Sequence, residues 1–145
     1  MSDAREISGR CLCGAVRFAA KAKDNHVGAC HCHMCQRWTA GPFLTVDCEP
    51  GSVRITGEEQ LGVYASSEWG ERCFCKTCGT PLFWRMQDGS LAVASAGALD
   101  DKRDLTFFSQ IFVDEKPAYY AFANETSMMT GAEVVAMMTG GTHDP

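Results

Sequence analysis

Hydrophobic and polar positions alternate in short runs along most of the chain. Ala15-Val16-Arg17-Phe18-Ala19 and Val53-Arg54-Ile55-Thr56 follow a period of two, the pattern of a strand with one buried face. Phe43 to Val46 and Leu61 to Tyr64 predict two more strands. Pro81-Leu82-Phe83-Trp84-Arg85, the turn pair Asp88-Gly89, and Leu91-Ala92-Val93 predict a hairpin. Leu105 to Val113, the longest apolar stretch, predicts a buried strand. Turn signals at Gly41-Pro42 and Glu49-Pro50-Gly51 separate these runs, and the series as a whole predicts an all-β or β-rich domain.

The polar segments frame this domain. Residues 1–9 read as a loose lead-in, 10–125 as the domain, and 126–145 as a tail of unassigned structure. Lys21 to Val27 reads as a polar connection and Asp100 to Asp104 as a solvated loop. In the tail, Glu133 to Met138 fits a short helix or no fixed structure, and Met128, Met129, Met137 and Met138 are expected to fill packing gaps.

Composition changes the picture in one respect. A 145-residue chain with 46% hydrophobic and 21% charged residues fits one domain with a real core. Its net charge of −5 argues against nucleic acid as a partner. The informative count is nine cysteines, eight of them in three tight groups: Cys11/Cys13, Cys30/Cys32/Cys35 and Cys73/Cys75/Cys78. Disulfide frameworks spread their cysteines along a chain, whereas such spacings read as metal knuckles. Met1 to Glu6 has no apolar core for a signal peptide, and no apolar run reaches the roughly 18 residues that span a bilayer. A reducing cytoplasm, with no membrane partner, is the expected setting.

Spacing divides the sulfurs into two four-cysteine sites or one of four and one of three. Distant C-x-C and C-x-x-C pairs commonly close one tetrahedral zinc site, as Cys11/Cys13 with Cys75/Cys78 would. In an extended segment Cys11 and Cys13 face one side, and Gly14 permits the tight loop that follows. Cys30, Cys32 and Cys35 then form the second group. Cys73 shares a face with Cys75 if that segment is extended, so spacing leaves open whether it supplies a fourth sulfur to the other ion. The distinction matters because a structural zinc takes four protein ligands and a catalytic zinc keeps one position open. Thiol–disulfide exchange through Cys75-Lys76-Thr77-Cys78 is disfavoured, because no βαβ pattern surrounds it.

Three ordered motifs, Gly9-Arg10-Cys11-Leu12-Cys13-Gly14, Cys30-His31-Cys32-His33-Met34-Cys35 and Arg72-Cys73-Phe74-Cys75-Lys76-Thr77-Cys78-Gly79-Thr80-Pro81-Leu82-Phe83, resemble the family of glutathione-dependent formaldehyde-activating enzymes and centromere protein V. The likeness runs from about Gly9 to about Tyr120 and includes Ile111-Phe112-Val113-Asp114 with Ala118-Tyr119. It implies a zinc-stapled β-tent with two zincs. Cys11, Cys13, Cys75 and Cys78 fall on the structural zinc, and Cys30, Cys32 and Cys35 on the catalytic one. Cys73 and Cys48 are then spare core thiols. His33 departs from the pattern, standing where a small hydroxyl residue is frequent; it is a candidate ligand, acid/base group or solvent-facing side chain. His31 alternates away from the sulfurs and reads as a supporting or exposed residue.

The chemistry follows from the ligand type. Three thiolates make a zinc a weak Lewis acid but a good partner for another sulfur, and coordination favours the thiolate form of a bound thiol. The resemblance accordingly implies a carbon–sulfur lyase acting on a thiol such as glutathione and an aldehyde such as formaldehyde. Arg37, Arg72 and Trp38 are the expected contacts for a glutathione-like ligand, and Arg85 also lies near the motifs. The competing expectation is a non-catalytic zinc protein that serves as a binding or chaperone module.

Overall fold

The computed structural model describes residues 5–138; the start of the expected lead-in and residues 139–145 of the tail lie outside them. The described chain is β-rich, with eleven strands and two short α-helices. It forms two compact units that interleave in sequence, one of residues 5–26 and 45–106, the other of 27–44 and 107–138.

The first unit is built from antiparallel strands. β1 (Arg5–Arg10) pairs with β2 (Arg17–Ala22), and β2 also pairs with β5 (Arg54–Thr56) and with the end of β4 (Phe43–Cys48). From β4 the order continues through β9 (Ala92–Ser95), β8 (Pro81–Met86) and β7 (Gly70–Cys75) to β6 (Leu61–Ala65). The expected hairpin is β8 and β9, paired Phe83 to Ala94 across the turn containing Asp88-Gly89. Along β2, Phe18, Ala20 and Ala22 are buried while Arg17, Ala19 and Lys21 are not, the alternation its sequence dictates. Phe18 meets Phe83 edge to face at 4.8 Å, and Val16, Val46, Leu82 and Leu99 complete the buried core. Cys48 and Cys73 are fully buried here, and burial pushes both thiols up to about 11, so they stay neutral core residues.

Several expectations need correction. The lead-in is ordered from Arg5 as β1, because Ile7 turns inward and Gly9 lies directly across from Phe18, where a Cβ would strike the ring and the Ala98 carbonyl. A single apolar residue and a glycine give no strand periodicity to read. Val27, taken as part of a polar connection, belongs to β3 (His26–Cys30). Gly70–Cys75, which holds two cysteines of the third group, is β7. Gly57, with φ of +84° at the start of a 3-10 turn (Glu58–Gln60), packs so closely on Ala15 that a Cβ would overlap its carbonyl oxygen. Gly57→Ala is therefore expected to cost about 3 kcal/mol. Chemical denaturation measures this, and an unchanged midpoint would contradict it.

The second unit holds β3, α1 (His33–Thr39), the start of β4, β10 (Thr106–Ile111), β11 (Ser127–Met129) and α2 (Gly131–Met138). β10 lies beside β3 and pairs in parallel with β11. The expected buried strand is not buried along its length. Phe108 is exposed, and the inward position belongs to Gln110, whose amide is needed by polar partners inside this unit. The methionines also depart from expectation. Val134 anchors α2, while Met128, Met137 and Met138 face solvent and fill no gap. No helix among the described residues is long and apolar enough to cross a membrane.

Candidate metal centres

Cys11 and Cys13 leave β1 in a turn, with the Gly14 N–H bonded to the Cys11 carbonyl at 3.1 Å and Gly14 at φ +82°. Cys75 ends β7, and the chain turns through Cys78 into β8. These two knuckles put their four sulfurs within 4.8 Å of one another. Tetrahedral zinc with bonds of about 2.3 Å sets its sulfurs about 3.8 Å apart. Cys11 and Cys13 lie at 3.6 Å, and Cys13 and Cys75 at 3.7 Å, so the group fits a closed four-sulfur zinc.

The backbone prepares these sulfurs for negative charge. Val16 N–H donates to Cys11 Sγ at 3.3 Å, and the Thr77 and Cys78 N–H groups donate to Cys75 Sγ at 3.3 and 3.4 Å. The Thr80 hydroxyl beside Cys78, together with backbone N–H groups, pulls that thiol down to about 5. At Cys13 the Ala15 N–H favours the thiolate, but desolvation and the surrounding sulfurs outweigh it and push the thiol up to about 11. A bound dication reverses that crowding, since a coordinated thiol is deprotonated outright.

The second group lies wholly in the other unit. Cys30 ends β3, and Cys32 is the N-cap of α1, its sulfur accepting the Cys35 N–H at 3.3 Å. Cys35 lies on the buried side of the first helical turn. The three sulfurs fall within 4.8 Å of one another, and among the described residues no fourth Cys, His, Asp or Glu joins them. Cys73 and His33 belong to neither sulfur group. The Cys32 and Cys35 sulfurs beside Cys30, together with burial, hold its thiol far above the ordinary range. Three thiols packed this closely become thiolates together only around a cation, which fits a soft three-sulfur metal site.

The histidines of the motif occupy different surroundings. His33 is 71% exposed, its Nε2 is 3.7 Å from Glu115, and its backbone N–H donates to the same carboxylate at 2.9 Å. His31 is fully buried. Its Nε2 meets Gln110 Oε1 at 2.9 Å and its Nδ1 meets the Tyr120 hydroxyl at 2.6 Å. Gln110 Nε2 donates onward to Thr126 Oγ1 at 2.8 Å, so its Oε1 is left to accept from His31 Nε2–H. Nδ1 then accepts from the Tyr120 hydroxyl, whose pKa burial and then the neighbouring Tyr119 and Cys30 push above its ordinary value. Gln36 braces the helix from its other side, donating to the His31 and Glu115 carbonyls at 2.6 and 2.9 Å.

The expected ligand contacts divide. Arg37 is exposed on α1 in the same unit as the three sulfurs. Trp38 packs edge to face on Phe43 at 5.3 Å. Arg72 is only 4% exposed, on β7 between Tyr64 and Trp84, so it is not at an open surface. Arg85 is bonded to Glu71 at 2.6 Å. Gln110, Glu115 and Tyr120 were not anticipated. Gln110 alone had a readable signal, as a polar residue inside an apolar run that must find a partner if it turns inward.

An uncharacterized lyase of Schizosaccharomyces pombe is 37% identical over 131 residues, covering 90% of this chain and 95% of that protein. The crystal structure of a Rhodobacter sphaeroides protein superposes with a TM-score of 0.58 at 22% identity, covering 67% of this chain and 93% of that one, and so shares the fold. The family model described as glutathione-dependent formaldehyde-activating enzyme matches residues 6–115, a span that contains both sulfur groups, and the chain belongs to that family.

Proposed function

We propose that this protein is a zinc-dependent carbon–sulfur lyase that joins a thiol to an aldehyde, or parts the adduct, at the Cys30/Cys32/Cys35 site. The observation that carries the reading is the incomplete ligand set: three sulfurs within 4.8 Å and no fourth protein ligand among the described residues. A zinc bound there would supply an open position that favours the thiolate form of an incoming thiol. Four sulfurs at Cys11, Cys13, Cys75 and Cys78 suit a zinc that only holds the fold.

The reaction is an addition and involves no redox change. The sulfur–carbon bond forms, the carbonyl π pair moves to oxygen, and the thiol proton ends on that oxygen. The reverse step cleaves the same bond. His33, at the solvent edge of α1, can pass a proton to or from water. His31 has both nitrogens committed to Tyr120 and Gln110, and its role is to hold the segment between Cys30 and Cys32 in place. Family membership supports glutathione and formaldehyde as the first substrates to test.

Exchange NMR on glutathione, formaldehyde and their adduct provides that test. Exchange is expected to exceed the uncatalysed rate with zinc-loaded protein and to return to it after the labile metal is removed by chelator. Exchange at the background rate with loaded protein would reject this substrate pair and favour the binding or chaperone reading.

A further inference from the structure

A cavity of about 290 Å³ lies in the second unit, lined by His33, Gln36, Arg37, Ala40, Gly41 and Tyr119. Three of these, at positions 33, 36 and 37, follow the spacing that places side chains on one helical face, and Ala40 is the residue that ends the helix. Cys32 caps the same helix and Cys35 lies on its buried side. Tyr119 also lines the cavity. It is 82% exposed, its ring centroid is 5.5 Å from that of Tyr120, and Tyr120 is pinned to the buried His31.

Gln36 is committed to the His31 and Glu115 carbonyls, but two other donors of this cavity are uncommitted. Among the described residues, no carboxylate or carbonyl engages the Arg37 guanidinium, and no hydrogen bond holds the Tyr119 hydroxyl. The neighbouring acid, Glu115, is occupied by the His33 backbone N–H and faces His33 Nε2. A guanidinium fork with a phenol beside it matches a carboxylate. Whole small-molecule sites run from about 300 to 1,000 Å³, so this volume admits one arm of a ligand.

The geometry points to a carboxylate subsite. Arg37 and Tyr119 receive the carboxylate arm of the thiol whose sulfur lies at Cys30, Cys32 and Cys35, and this makes the site selective for anionic thiols over uncharged ones. The inference rests on the proposed reaction for the sulfur's location, but the cavity's chemistry can be tested separately.

The probe is S-methylglutathione, which keeps both carboxylates and has no thiol to react. Titrated into zinc-loaded, 15N-labelled protein, it should shift the backbone amides of Ala40, Gly41 and Tyr119. Its affinity should fall about tenfold in Arg37→Gln, as expected for loss of a charged hydrogen bond at a partly solvated site, and recover in part in Arg37→Lys. The same probe esterified at both carboxylates should not bind. With substrates, Arg37→Gln should raise the KM for glutathione about tenfold at unchanged kcat and leave 2-mercaptoethanol unaffected. Equal binding of the ester, or equal affinity of wild type and Arg37→Gln, would overturn the subsite. Binding of S-methylglutathione as described, with exchange at background for every thiol, would retain the subsite and remove the proposed reaction. Catalysed exchange with no Arg37 effect would do the reverse.

Discussion

Cys78→Ser will not hold the fold at ambient temperature. The four-sulfur site joins the turn after β1 to the turn between β7 and β8, segments more than sixty residues apart, and Cys78 is the sulfur that Thr80 holds in the thiolate range. Structural zinc contributes roughly 10–16 kcal/mol to folding in small zinc domains, as large as the roughly 5–15 kcal/mol by which whole domains are stable. Losing one of four thiolates removes enough of that contribution to exhaust the margin. The expected result is loss of the cooperative thermal transition, with bound zinc well below the wild-type content. A variant that melts within a few degrees of the wild type and keeps its metal would show that β1, β2, β7 and β8 hold together without the staple.

Cys35→Ser should behave in the opposite way. Its sulfur lies in the other unit, and α1 keeps hydrogen bonds that do not depend on it, from Gln36 to the His31 and Glu115 carbonyls and from Thr39 to the Gly41 carbonyl. The variant should fold, retain the four-sulfur metal and lose the second ion. Residues that merely support a metal ligand cost about 10–100-fold when mutated, so removing a ligand should lower thiol–aldehyde exchange by at least about 100-fold. Metal content, circular dichroism and exchange rate measured on one preparation test all three parts. Exchange retained at the wild-type rate in a protein that has lost the second ion would show that the chemistry lies elsewhere.

The chain announces some parts of this structure more clearly than others. The knuckles are legible because a metal site needs its ligands close together along the chain, and Asp88-Gly89 is legible because a tight turn selects those residues locally. α1 was hidden inside a cysteine cluster: seven residues give less than two turns of periodicity, and its cap is a cysteine rather than one of the preferred polar caps. β1 was hidden because Gly9 contributes space rather than a side chain to its pairing with Phe18. The partners of His31 were hidden for a different reason. Gln110 and Tyr120 follow it by about eighty to ninety positions, and contacts at that separation leave no local pattern. Arg72 illustrates the converse, since nearness to a motif in sequence said nothing about its burial.

The interleaving of the two units sets an order of events at the ribosome. Cys30, Cys32 and Cys35 are synthesised early, but Gln110, Glu115 and Tyr120, which enclose that segment, emerge about eighty residues later. At typical synthesis rates the three thiols wait roughly 4–17 s for their enclosure, at about 5–20 residues per second. Throughout that interval they are open to oxidants and stray metals, so a nascent chain needs reducing surroundings before it needs its substrate.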